Sequence, residues 1–219
     1  ILGSKHTMER VSDLINGVVL RGTQPPMPIN LLDIKPGVIL EAENFRVTAF
    51  PVDHRGSSSL GFRFEELPRR PFLPEKAEAL GVPPGPWRKD LVAGKAITLA
   101  DGRIIQPDEV LGEEKPGAKL AIVGDVGRPE KLLPYIQGVD ALVVEATYLN
   151  EEAEMAEDFG HTTAEAVARL ANEAGVEQLI LTHVSRRYRD DDILNEATAI
   201  FPNTFLAHDF DTFQVKHKD

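Results

Sequence analysis

The sequence predicts a mixed α/β fold, a helix-covered sheet interrupted by an inserted arm. From residue 118 onward, continuous apolar segments alternate with amphipathic ones, the pattern of a sheet packed by helices. Before that, residues 29–64 read as successive strands separated by short turns. Between these regions, residues 65–113 are dense in proline and glycine and weak in apolar periodicity, so they read as an insertion and not as core.

The opening ILG reads as the end of a strand that begins upstream, in a chain that starts with Ile1 and not Met. Residues 5–20 place Met8, Val11, Leu14, Ile15, Val18 and Val19 at three- and four-residue spacing, which predicts an amphipathic helix ended by RGTQPPMP. INLLDI (29–34), VILEA (38–42) and FRVTAF (45–50) are expected strands, the last two joined by a tight turn, and SLGFRF (59–64) alternates as a further strand. Within the insertion, GVPPGPW is expected to be stiff and extended, because proline fixes φ and removes N–H donors. A short strand pair follows around AITLADGRII. The second half then runs KLAIVGD (strand), RPEKLLPYI (helix), ALVVEAT (strand), EEAEMAEDF and TTAEAVARLANEA (helices), QLILTH (strand) and DDILNEATAIF (helix), closed by FLAHDF and FQVKH. The expected organisation is a core in two parts, 1–64 and 114–219, around an arm at 65–113.

Composition narrows the function. At 42% hydrophobic over 219 residues the chain can bury a substantial core. No apolar run approaches the roughly 20 residues of a membrane span, and the opening lacks the basic-then-apolar order of a signal peptide. The absence of cysteine excludes disulfides and thiolate metal sites and fits a reducing, cytoplasmic setting. A net charge of −11 argues against a generally basic nucleic-acid binder. Residues 63–103 nevertheless carry +2 while the rest carries −13, so this segment is mildly basic on an acidic body and could touch a polyanion, or is simply an ordinary solvated surface.

Three residues stand where apolar strands run out: His54 after FRVTAFPVD, Asp125 after KLAIVG and His183 after QLILT. In α/β sheets, ligands gather beyond the carboxyl ends of strands. Two imidazoles and a carboxylate there can hold a transition metal. Each alone is as readily a structural residue; their joint placement carries the reading. Glu145 and Thr147 end another strand. Thr162 and Glu165 have the spacing of a capping box that opens a helix, with Thr163 beside them. That helix start can also attract phosphate. His161, immediately before it, can donate a proton to a leaving oxygen while Glu145 holds its tautomer. Ser185 and Arg187 follow His183 and can grip a phosphodiester, or belong to a charged loop paired within itself.

These segments together resemble ribonuclease Z, the zinc-dependent tRNA 3′-processing endonuclease family of the metallo-β-lactamase superfamily. PVDH resembles its single-histidine motif, GDV its GDT, VEAT its HEAT loop, HTT its HST loop, and LTHVSRRY the motif of its last histidine ligand. LGVPPGPW followed by LADGRIIQPDEVLG resembles the flexible arm, or exosite, that holds the tRNA body; Gly81, Pro83, Pro84, Gly85 and Pro86 are its signature here. The resemblance implies an αββα metallo-β-lactamase-like sandwich, incomplete at its N-terminus, with that arm inserted. It implies zinc, two ions per complete site with Mn²⁺ as an alternative, bound by His54, Asp125 and His183, with Asp125 bridging. His161 and Glu145 are implied as the catalytic pair, and Thr162, Thr163, Ser185 and Arg187 as phosphate contacts. The implied partners are precursor tRNA and a second copy of the chain, with no membrane; the helix at 5–20 is a candidate interface element. The family's HxHxDH motif does not occur in this sequence and is expected upstream; Val126 and Val144 replace the Thr and His of the family patterns. Two other readings stand beside this one: a superfamily hydrolase acting on a lactam or an aryl sulfate ester, and an RNA-binding relic without activity. His6, His208 and His217 are expected in surface or structural roles, and Phe72 and Trp87 as packing residues of the arm.

Overall fold

The computed structural model describes residues 1–217. The chain divides into two compact units, Ile1–Glu66 with Ala118–Asp219, and Leu67–Gly117. In the first segment, β1 (Leu2–Gly3) leads into α1 (Lys5–Ser12), followed by β2 (Leu32–Asp33), β3 (Gly37–Glu41), β4 (Phe45–Val52) and β5 (Ser59–Glu66). The inserted unit holds α2 (Pro74–Ala79), α3 (Pro86–Val92), β6 (Ile97–Thr98), β7 (Ile104–Ile105) and α4 (Pro107–Val110). The last segment holds β8 (Lys119–Ile122), α5 (Leu133–Ile136), β9 (Ala141–Glu145), α6 (Ala153–Phe159), α7 (Ala164–Ala174), β10 (Gln178–Thr182), α8 (Asp190–Thr198) and β11 (Thr204–Leu206).

The larger unit is built on a seven-stranded sheet of order β11-β10-β9-β8-β5-β4-β3. Strands β8 to β11 are mutually parallel, whereas β5 runs antiparallel to both β4 and β8. It follows that β4, β8, β9 and β10 all point the same way, and their carboxyl ends lie along one edge. One sheet face is closed by helices: Phe50, Ala121, Leu142, Val144, Leu179 and Leu181 pack with Leu132, Ile136, Val167, Ala171 and Ile193 in a single buried cluster. The opposite face is also apolar, but Leu40, Phe64, Ile122 and Phe205 on it remain exposed. A helix layer on a mixed sheet is the half of an αββα sandwich expected from the sequence. Among the described residues, no helix is long and apolar enough to cross a membrane.

Three local expectations are corrected. The helix expected over residues 5–20 is α-helical only to Ser12 and continues as a π-helix, Asp13–Val19, with Leu20 N–H donating to Ile15 O. Asn16, Gly17, Val18 and Val19 are weak α-formers, and Leu14, Val18 and Val19 are exposed, so no core contact enforces the tighter ladder. INLLDI yields only β2, which pairs in parallel with β1 and stays outside the main sheet; Pro28 and Pro36 hem in the segment. GVPPGPW is not extended throughout: Pro86 opens α3, where its missing N–H and fixed φ suit the first turn.

The inserted unit has its own small core of Ala77, Val82, Leu91, Ile97, Ile105, Val110 and Leu111. Phe72 packs against it, with the Arg88 guanidinium over its ring at 5.5 Å. Trp87, expected to pack, is about half exposed at 49%.

A candidate metal centre at the strand ends

Each site residue leaves the sheet at its shared carboxyl edge. His54 follows β4, Asp125 follows β8, Glu145 ends β9, and His183 stands directly after β10 in the left-handed region, φ +52°. The Asp125 carboxylate lies between two imidazoles: its Oδ2 is 3.9 Å from His54 Nε2 and its Oδ1 is 3.7 Å from His183 Nε2. The rings of His54 and His183 each lie with their centroids 5.3 Å from that of His161. Ligating atoms of His54, Asp125 and His161 fall within 4.8 Å of one another. Four side chains from distant parts of the sequence therefore converge.

The hydrogen bonds behind these groups fix their protons. His54 Nδ1 lies 2.7 Å from Gly160 O. A carbonyl only accepts, so Nδ1 donates in this bond, and Nε2 is the nitrogen turned toward Asp125. His161 Nδ1 is 3.0 Å from both oxygens of Glu145, so its Nε2 is likewise turned away from its partner. Glu145 is fully buried, and its charge is offset by Val126 N–H at 2.6 Å, by His161 and by the Thr147 hydroxyl. Thr147 Oγ1 also lies 2.9 Å from His183 O, tying β9 to the His183 loop. Val126 stands where the family pattern has Thr; its side chain is buried and its backbone N–H makes the contact to Glu145. Imidazole nitrogens backed by carbonyl and carboxylate acceptors, a carboxylate and no thiolate fit a borderline divalent cation.

The neighbouring residues expected to contact phosphate are placed as follows. The helix cap is Thr163 and not Thr162: Thr163 Oγ1 accepts Ala166 N–H at 3.1 Å, and Glu165 pairs instead with Arg169. The spacing from Thr162 to Glu165 missed the start of α7 by one residue. Both threonines are buried, held by backbone bonds between Tyr148 and the 162–164 segment. Ser185 Oγ accepts Arg187 N–H at 3.4 Å, and the Arg187 guanidinium is 3.0 Å from Glu152 Oε1. Arg186, three residues after His183 in the sequence, is exposed. Asp53 donates no ligand atom; a hydrogen bond from Lys131 holds its carboxyl below the usual range and fastens the loop before His54. Gly81, Pro83, Pro84 and Gly85 lie in the turn between α2 and α3, and Pro86 opens α3. His208 pairs with Asp190 and Asp211, and His217 lies 3.0 Å from buried Asp140.

Residues 96–184 match the beta-lactamase superfamily domain. A ribonuclease Z of Bradyrhizobium sp. strain ORS 278 is 44% identical over 97% of this chain, which spans 70% of that protein. The chain belongs to the ribonuclease Z family. The ribonuclease Z of Bradyrhizobium diazoefficiens is 41% identical over 98% of the chain and 71% of its own length. A metallo-beta-lactamase fold protein, YhfI of Bacillus subtilis, superposes with a TM-score of 0.56 at 15% identity, covering 94% of this chain and 60% of its own, and shares the fold. As a ribonuclease Z family member, the chain is of the metal-dependent nuclease and hydrolase kind, and the His/Asp/His cluster is its candidate metal site.

Proposed function

We propose that this chain carries the leaving-group half of a zinc-dependent endoribonuclease that removes 3′ trailers from precursor tRNA. The observation that carries the reading is the Asp125 carboxylate, one oxygen toward His54 and the other toward His183. A carboxylate so placed could serve cations on both of its sides, and an HxHxDH segment of the family kind would supply the further ligands. Zinc bound there supplies Lewis acidity for the water nucleophile and for the phosphoryl oxygens. His54, Asp125 and His183 would hold the cations. His161 donates its Nδ1–H to Glu145, and as the imidazolium it carries a second proton on Nε2, which it gives to the leaving 3′-oxygen while Glu145 balances its charge. Cleavage in this sense leaves a 3′-hydroxyl on the tRNA and a 5′-phosphate on the trailer. Exposed Arg186, with Ser185 and Arg187, lines the approach of the phosphodiester.

The arm, residues 67–117 with its Gly81–Pro86 turn, is the exosite for the tRNA body, and its independent core supports that role. The active form is a homodimer, a reading supported by exposed Leu14, Val18 and Val19. A second arrangement has one specific observation in its favour: a ring nitrogen of His161 lies within 4.8 Å of ligating atoms of His54 and Asp125, and His161 would then be a metal ligand. In a chain extended upstream to include HxHxDH, Asp125→Ala is expected to abolish pre-tRNA cleavage and to lower bound zinc. Undiminished cleavage would refute the assignment.

A further inference from the structure

Three loops meet backbone to backbone at Gly160. We propose that Gly160 is a positioning residue that sets His54 and His161 together: its carbonyl accepts from His54 Nδ1 and so turns Nε2 toward Asp125, and its missing side chain makes room for Arg55. The consequence for catalysis rests on reading His54 as a ligand and His161 as the acid. The tautomer is a property of the protein alone.

Gly160 ends α6 in the left-handed region, φ +69°, ψ +31°, a conformation that glycine adopts without cost. Its N–H donates to Glu157 O at 3.0 Å, and His161 N–H donates to Ala156 O at 2.8 Å. The two bonds wind down the helix and fix the direction in which His161 leaves it. The Gly160 carbonyl accepts from His54 Nδ1 across 106 residues of sequence. Space around Gly160 is taken on two sides. A Cβ there would fall on Arg55 Cγ and lie 3.4 Å from Arg55 N. On the other side, a Cβ on Gly127 would come within 3.1–3.2 Å of Gly160 Cα, C and O. The Arg55 backbone is itself left-handed at φ +49°, and Gly127 N–H donates to Asp53 O at 2.8 Å, so neither neighbour has slack. A Cβ at 160 must push Arg55 Cγ aside in a loop whose backbone is already left-handed, and the strain falls on the neighbouring bond to His54 Nδ1.

The test is histidine side-chain ¹⁵N NMR on the metal-free chain, paired with Zn²⁺ affinity by chelator competition. In the unaltered protein, His54 is expected to show a protonated, slowly exchanging Nδ1 and a bare Nε2. Gly160→Ala is expected to release that proton to exchange and mix the tautomers while far-UV circular dichroism is retained, with Zn²⁺ affinity falling about 10- to 100-fold. Arg55→Gly combined with Gly160→Ala removes the contact and is expected to recover most of both losses. A protected Nδ1 proton and unchanged affinity in folded Gly160→Ala would overturn the proposal. If Gly160→Ala fails to fold, the double variant decides: a protected His54 proton supports the steric argument, and an exchanging one defeats it. If the unaltered chain takes up no zinc yet shows the His54 tautomer and loses it in Gly160→Ala, positioning by Gly160 stands, and zinc affinity in the upstream-extended chain then decides whether His54 is a ligand.

Discussion

The two units of this chain solve the problem of order by opposite means. The larger one is ordered from its centre: buried strands and three packed helices fix a sheet edge, and the chemistry hangs from that edge on short loops. The inserted unit has two-residue strands, short helices and a small apolar cluster, with prolines at the start of three helices supplying rigidity that packing does not. A sheet edge holds atoms to fractions of an ångström, as bond making requires. A small proline-braced unit holds a surface, which is enough for grasping a large substrate. The difference fits the proposed division, with chemistry in the first unit and substrate choice in the second.

The comparison breaks most visibly at His161. In the upstream-extended chain, His161→Ala should slow hydrolysis of pre-tRNA and of a small phosphodiester alike, by about 10²- to 10⁴-fold, with zinc content unchanged. Zinc lost along with activity would make His161 a ligand. Removing residues 69–111 sharpens the contrast. Because β5 and β8 are antiparallel neighbours with Glu65 opposite Lys119, a short loop can rejoin them. Cleavage of pre-tRNA should fall by about 10²-fold or more, while the small phosphodiester is hydrolysed as before. Equal loss on both substrates would unite the two functions in one unit.

The smallest effect lies at the far rim of the sheet. His208 titrates above its ordinary value because its ring hydrogen-bonds to Asp190 and feels the charges of Asp190 and Asp211. The protonated form is the one the fold favours. Its contribution is therefore complete below about pH 6.5 and fades as pH rises through the raised pKa. An NMR titration should place His208 above its ordinary value, and Asp190→Asn should bring it down. A midpoint unmoved by that change would remove the ion pair as the cause.

Strand ends were readable in the sequence because apolar runs stop abruptly at His54, Asp125, Glu145 and His183, and parallel strands put such stops on one edge. Composition marked the insertion, since proline density and missing periodicity need no tertiary information. What escaped depends on contacts between distant segments. The π-helical turn at Asp13–Val19 arises where no core contact holds the α ladder. The cap at Thr163 is selected by the bridge between Tyr148 and Thr163, which no local spacing encodes. The ion pair of Arg187 with Glu152 spans 35 residues. Gly160 had a visible signal, a glycine directly before His161, but its partner His54 lies 106 residues away.

The uncovered sheet face has a colloidal consequence. Leu40, Phe64, Ile122 and Phe205 meet water on a face bounded by β3, an edge strand with free hydrogen-bonding groups. The break in register between Val38 and Leu40 twists that edge away from a flat template, and the net charge of −11 sets molecules against one another. Salt screens the second defence over a Debye length of about 8 Å at physiological ionic strength and leaves the first untouched. Dispersal of the isolated chain therefore rests increasingly on one irregular strand as ionic strength rises.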